Sequence, residues 1–274
     1  MVVVKPELAS EEALLGRMVK APPPEHFDGL VGGETIATAG LLATQKALKR
    51  AVIKWSIVGI VGKSGLGKTF AIRSILGKMD AVDAYWIQFG TRPTLREIAR
   101  AIYLGVFGIE PAGMSRAEIT DEIIAEFSDR TRIRAIILVI DEAQWLSKDG
   151  LELLRSIHDH IGTGFALVFA GGDDCWDVIR SAPMVHSRIN RPIQFLPMDN
   201  VSVMKSMPIY HRIYRDCDPE ILKRINNDYA RGSFRDWASF TSTASELMPQ
   251  HSLDVLNDTF VDKVITVLTG DLPR

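Results

Sequence analysis

Residues 62–69 read Gly62-Lys63-Ser64-Gly65-Leu66-Gly67-Lys68-Thr69, and the short apolar run at 56–61, SIVGIV, leads straight into them. Glycines at these places let the backbone take conformations closed to other residues, so successive N–H groups can converge on one point. Residues 69–76 are predicted to be a helix, whose N-terminal end carries the positive pole of the peptide dipoles. A strand, a turn of the form G-x-x-x-x-G-K-[ST] and a helix together make a phosphate-binding loop. In that reading the backbone of Gly62, Lys63, Ser64, Gly65, Leu66 and Gly67 wraps the phosphates. Lys68 reaches the β- and γ-phosphates, and the Thr69 hydroxyl ligates Mg²⁺. The expected ligand is ATP with Mg²⁺.

Outward from this loop, strand and helix patterns alternate. Residues 84–89 (AYWIQF) are strand-like, 94–106 and 116–129 helical. The run 135–140 (AIILVI) is continuously apolar, the pattern of a strand buried on both faces. Residues 151–161 form an amphipathic helix with Leu151, Leu154, Ile157 and Ile161 on one side, 165–170 (FALVFA) a second buried strand, 174–181 a connecting helix, and 193–196 a last short strand. Upstream, 35–50 is rich in helix formers. This alternation predicts an α/β fold, a parallel sheet with helices on both faces. After Pro197 only helical patterns remain. The expected organisation is an N-terminal extension at 1–34 containing the run Ala21-Pro22-Pro23-Pro24, an α/β domain at 35–198 and a helical lid at 199–274.

The strand at 135–140 ends in Asp141-Glu142. In open α/β sheets the carboxyl ends of the strands border the ligand crevice. Asp141 is therefore expected to hold Mg²⁺ through water. Glu142 would polarise the attacking water, a task that phosphoryl transfer requires of some residue. Positive charge for the transition state is assigned to Arg188, reaching the nucleotide of a neighbouring subunit, with Arg191 as the weaker choice. Arg235, at the start of a helix opened by Gly232-Ser233-Phe234, would fold over the nucleotide.

These stretches resemble those of AAA+ ATPases over roughly residues 35–270. The likeness rests on the loop at 62–69, on ILVIDEAQ at 137–144, on the strand at 165–170, on Arg188 and on the GSFR at 232–235, which is similar to the sensor II arginine of the lid. Within that group the DEAQ form, the small size and the short lid resemble transposition regulators of the TniB/TnsC/MuB type. The resemblance implies a homo-oligomeric ring or helical filament on duplex DNA, ATP-dependent assembly, recruitment of a transposase and disassembly by hydrolysis. One departure stands out. The strand after Asp141-Glu142 ends in a polar sensor I residue in such proteins, and here Gly172 takes that place. Either Asp173 substitutes or hydrolysis is slow.

Composition bounds the alternatives. The chain has 274 residues, 46% hydrophobic and 24% charged, with a formal net charge of −2, which excludes a globally basic nucleic-acid binder. The basic charge is uneven, however: residues 35–79 contain no acid but include Lys46, Lys49, Arg50, Lys54, Lys63, Lys68, Arg73 and Lys78. Arg92, Thr94 and Arg96 follow the second strand in the loop that the resemblance turns toward DNA, and Ser115 and Arg116 come next. Contacts of this kind would be to phosphates and non-specific in sequence. A solvated basic surface is the plain alternative. Two cysteines, Cys175 and Cys217, suit neither a disulfide framework nor a Cys-only zinc site. No apolar run is long enough to span a membrane, so a cytoplasmic protein is expected. The rival function is a switch that binds only protein partners. A replication-initiator-like loader is disfavoured by the short stretch after Arg235. The base-contacting residues are placed, as a guess, at 27–31.

Overall fold

The computed structural model describes residues 26–189 and 191–270; the proline run at 21–24 and most of the expected N-terminal extension lie outside them. The described chain divides into two compact units. One comprises Gln45–Val61 and Arg73–Ile193, the other residues 26–44, Gly62–Ile72 and 194–270.

The elements in chain order begin with α1 (Ala39–Lys54), β1 (Ile57–Val61), α2 (Lys68–Leu76), β2 (Val82–Gln88), α3 (Leu95–Phe107) and α4 (Arg116–Arg130). They continue with β3 (Ala135–Asp141), α5 (Lys148–His158), β4 (Phe165–Gly171), α6 (Cys175–Arg180), α7 (Pro183–His186) and β5 (Ile193–Gln194). The sheet has the order β2-β3-β4-β1-β5. β2 pairs with β3, β3 with β4 and β1 with β4, all parallel. Register places Val61 opposite Gly171 and Gln88 opposite Asp141, so these strand ends lie along one edge.

β3 and β4 are covered on both faces, as their unbroken apolar runs require. Ile98 and Ile102 of α3, Ile119 and Phe127 of α4 and Leu151 of α5 are fully buried in the same core as Phe165 and Phe169. The ring of Phe127 lies 4.8 Å edge-on from Phe165 and 5.7 Å from Tyr85. Local chemistry sets the helix boundaries. Thr94 and Ser115 each form a reciprocal capping box, with Glu97 and Glu118 respectively. α3 stops at Gly108, whose φ of 72° provides a left-handed cap.

Three expected elements shift. The helix expected at 35–50 begins only at Ala39, where the Thr38 hydroxyl accepts from Leu41 N (3.2 Å), and runs on to Lys54. The helix expected at 151–161 starts earlier, on the Ser147 cap, and ends at His158. Ile161 therefore does not join Leu151, Leu154 and Ile157: it lies in the turn before Gly162 (φ 101°) and is 94% exposed. The final strand shortens to Ile193–Gln194.

Among the described residues beyond Met198 there are only helical elements and turns. α8 (Asn200–Tyr210), α9 (Pro219–Ile225), α10 (Phe234–Gln250) and α11 (Asp258–Thr269) carry a core centred on Trp237, Tyr214 and Phe240. Tyr214 and Trp237 meet edge to face at 5.5 Å, and the Tyr214 hydroxyl is 2.7 Å from Thr241 Oγ1. The chain enters α10 through Gly232 (φ 77°), where an added Cβ would stand 2.6 Å from the Met198 carbonyl oxygen. Gly232→Ala is expected to cost about 2 kcal/mol or more through backbone strain and overpacking. Urea unfolding checks this; an unchanged midpoint would refute it.

Candidate functional site

The loop after β1 is closed by its own lysine. Lys68, only 8% exposed, donates from Nζ to the carbonyl oxygens of Gly62 (2.6 Å) and Lys63 (2.8 Å). Gly62, Gly65 and Gly67 have φ of 144°, 82° and 86°. At Gly62 a Cβ would collide with the Phe195 carbonyl, and at Gly65 it would stand 2.7 Å from Ser233 Oγ. These glycines are needed for close approach as well as for conformation. Arg235 N donates to the Gly65 carbonyl (3.1 Å), so the first turn of α10 is tied to the loop through its main chain. The Arg235 guanidinium lies 5.0 Å over the Phe27 ring.

Beside the loop, in the same unit, lies a partly open pocket. Its walls are mainly apolar, from Phe27, Leu66, Phe70, Tyr210 and Phe234, with Glu34 and Thr38 adding polar groups. His26 packs at 4.9 Å on Phe70 and 5.7 Å on Tyr210. Burial pulls its pKa below the ordinary histidine value, against a hydrogen bond to the Gly33 backbone and the Glu34 charge, so the imidazole is neutral at pH 7. Of the stretch 27–31, Phe27 lines the pocket, whereas Val31 is 87% exposed.

At the end of β3, Asp141 is buried, and its Oδ1 accepts from Glu142 N at 3.0 Å. Glu142 itself is left-handed, φ 54° and ψ 39°, which turns the chain sharply off the strand. Gln144 then bridges two groups. Its Nε2 donates to Glu142 Oε2, and its Oε1 accepts from Gly172 N at 3.0 Å. The Asp173 side chain is exposed. The bridge through Gln144 is the feature that sequence reading missed. Its only sequence signal is an amide close after Glu142 in a chain with glycine at the sensor I place.

Arg188 is engaged within its own chain. It pairs with Asp159 through Nη2 (2.6 Å) and Nε (3.2 Å), and Nη1 donates to the Met184 carbonyl at 2.6 Å. Burial favours protonation of Asp159, but hydrogen bonds from Arg155 and His158 and the nearby Arg188 outweigh it and hold the carboxyl below its ordinary value. Three of its five guanidinium N–H groups are thus engaged within the chain. Arg191 is exposed, with no side-chain partner among the described residues.

Arg92 in the turn after β2, Thr94 and Arg96 at the start of α3 and Arg116 at the start of α4 are exposed, and Arg96 Nη2 joins the two helix starts by donating to the Met114 carbonyl at 2.7 Å. The capping boxes change what this edge can offer a phosphate. Glu97 already takes the Thr94 N–H (2.7 Å), and Glu118 takes that of Ser115 (2.7 Å). Those backbone bonds hold both carboxyls below the usual range, so the edge also carries two fixed negative charges. The Thr94 and Ser115 N–H groups are thus occupied, and the arginines remain.

Among the described residues no cluster of three or more His, Cys, Asp or Glu could hold a metal. No helix among the described residues is long and apolar enough to cross a membrane.

A glycine-cradled lysine after the first strand of a parallel sheet, with an Asp-Glu pair ending another strand, defines a P-loop α/β protein of the AAA+ fold. Residues 55–179 match the AAA domain family, whose members are typically ATPases. No curated protein matches the chain in sequence. Among solved structures, the Aeropyrum pernix ORC2 protein in ADPNP–ADP complexes is similar with a TM-score of 0.68 and 15% identity, over 90% of this chain and 72% of that one. The A. pernix ORC1 protein in complex with DNA has a TM-score of 0.66 and 20% identity, over 92% and 69%. The Thermotoga maritima RuvB Holliday junction branch migration motor has 0.59 and 19%, over 85% and 70%.

Proposed function

We propose that this protein is an ATPase that binds duplex DNA without sequence preference, assembles into a homo-oligomeric ring or filament on it, and recruits a transposase or related partner. The observation that carries the nucleotide half is the loop at 62–69. Lys68 donates to two carbonyl oxygens of the loop, and Gly62, Gly65 and Gly67 take the positive φ that lets such a loop turn its N–H groups toward a phosphate.

In this reading Lys68 and the loop N–H groups hold the phosphates, and Thr69 and Asp141 supply the protein oxygens for Mg²⁺. Bound Mg²⁺ would neutralise charge on the phosphates. Glu142 takes a proton from the attacking water. The pocket walled by Phe27, Phe70 and Tyr210 seats the base: its apolar rings suit the faces of a purine. Arg235 closes on the nucleotide from α10. Arg188, released from Asp159, acts on the neighbouring subunit's nucleotide, which would link assembly to ATP.

The DNA half is supported by the exposed Arg92, Arg96 and Arg116 and by the similarity to the ORC1 protein solved in complex with DNA. The assignment to transposition rests on the DEAQ form of the strand end. The test is binding to a random duplex with ATP, a slowly hydrolysed analogue and ADP, with the same samples imaged by electron microscopy. DNA-bound rings or filaments in the ATP states, absent with ADP, are expected. ATP binding without DNA association at low salt would favour the protein-only switch. Within the same assay, Arg92→Ala should weaken binding to all sequences alike and reduce the log–log salt slope by about one. Loss confined to one sequence would contradict phosphate contact.

A further inference from the structure

We infer that Gln144 is a positioning residue for hydrolysis, its amide standing in for the polar side chain that the end of β4 lacks and holding Glu142 toward the attacking water. The inference rests on the ATPase reading above. An amide has one accepting and one donating end. Here the accepting end meets the Gly172 N–H at 3.0 Å and the donating end meets the Glu142 carboxylate. Turned over, the amide would set NH₂ against N–H and oxygen against carboxylate. Both contacts would then be repulsive, so the two partners fix the orientation.

The end of β4 is shaped for this. A Cβ at Gly171 would collide with Gln144 Oε1, so only glycine there admits the amide. At Gly172 a Cβ would stand 3.7 Å from Gln144 Nε2, in ordinary contact, which leaves space for a side chain the sequence does not place there. Glu142 has a left-handed backbone just past the strand and is half-buried. Gln144 occupies Oε2, and Oε1 has no other side-chain partner among the described residues. That oxygen is left to accept from water. The second Nε2 proton is a further donor beside it.

The experiment measures steady-state ATP hydrolysis and calorimetric ATP binding on the full chain. Gln144→Ala should lower kcat about 10- to 100-fold, the scale of lost positioning, while KM and Kd for ATP stay within about twofold. In a Glu142→Gln background, Gln144→Ala should change the rate no further, because the two act as one unit. Gly172→Asn should restore part of the rate to Gln144→Ala by returning a polar group to the end of β4. Melting temperatures show that each variant is folded. A wild-type kcat in Gln144→Ala overturns the inference and leaves the ATPase reading standing. So does an equal further loss in the Glu142→Gln background, or a double variant as slow as Gln144→Ala alone. A wild-type chain that binds no ATP overturns the ATPase reading and the inference with it.

Discussion

Lys68→Ala removes nucleotide binding. The lysine is 8% exposed, and its ammonium donates to two carbonyl oxygens of the loop. A charge-assisted hydrogen bond contributes about 1.5–3 kcal/mol. Removal of a cation facing two phosphate groups should therefore cost about 3 kcal/mol or more, roughly a hundredfold in Kd. The alanine variant also leaves the buried Gly62 carbonyl without its lysine donor, so the loop itself loosens. Calorimetric titration of ATP measures the loss, with thermal melting to separate a local change from unfolding. Retained ATP affinity in a folded variant would remove the phosphate-loop assignment.

Glu142→Gln gives the opposite pattern, binding without turnover. The substitution keeps shape and the possibility of a contact with Gln144, but it removes the group that can take a proton. General-base catalysis contributes about 10²–10⁴-fold, so kcat should fall by that factor while the Kd for ATP is unchanged. If hydrolysis disassembles the oligomer, the variant's rings or filaments should persist. Unchanged lifetimes in a chain whose wild type hydrolyses ATP would argue against Glu142 as the base.

Much of this was legible in sequence because its chemistry is local. The turn at 62–69 declares itself through spacing, and β3 and β4 through unbroken apolar runs. Asp141-Glu142 follows directly from the second of these signals, since it ends a buried strand. What escaped depends on residues far apart in the chain. Gln144 meets Gly172 across 28 positions and Arg188 meets Asp159 across 29. No periodicity reports such pairings. The capping boxes lay open to view, in Thr94 with Glu97 and Ser115 with Glu118, but their consequence for the arginine edge did not. A helix start looks like a row of donors until the capping acid is counted against it. Ile161 was misplaced for a related reason: the apolar period runs on past His158, and only the backbone turn at Gly162 shows that the helix has already ended.

The left-handed backbone of Glu142 sets folding against function at a single residue. For a non-glycine side chain that conformation costs about 1–2 kcal/mol. Glycine, free of the Cβ clash, or asparagine would sit there more comfortably. Selection for thermal robustness alone would therefore tend to erode the carboxylate, and, if Glu142 is the base proposed above, yield sturdier descendants that no longer turn over. A screen for heat-resistant variants of this protein should enrich substitutions at position 142 along with those at Trp55, Arg231 and Ser252, which share its backbone conformation, and should be counter-selected for turnover.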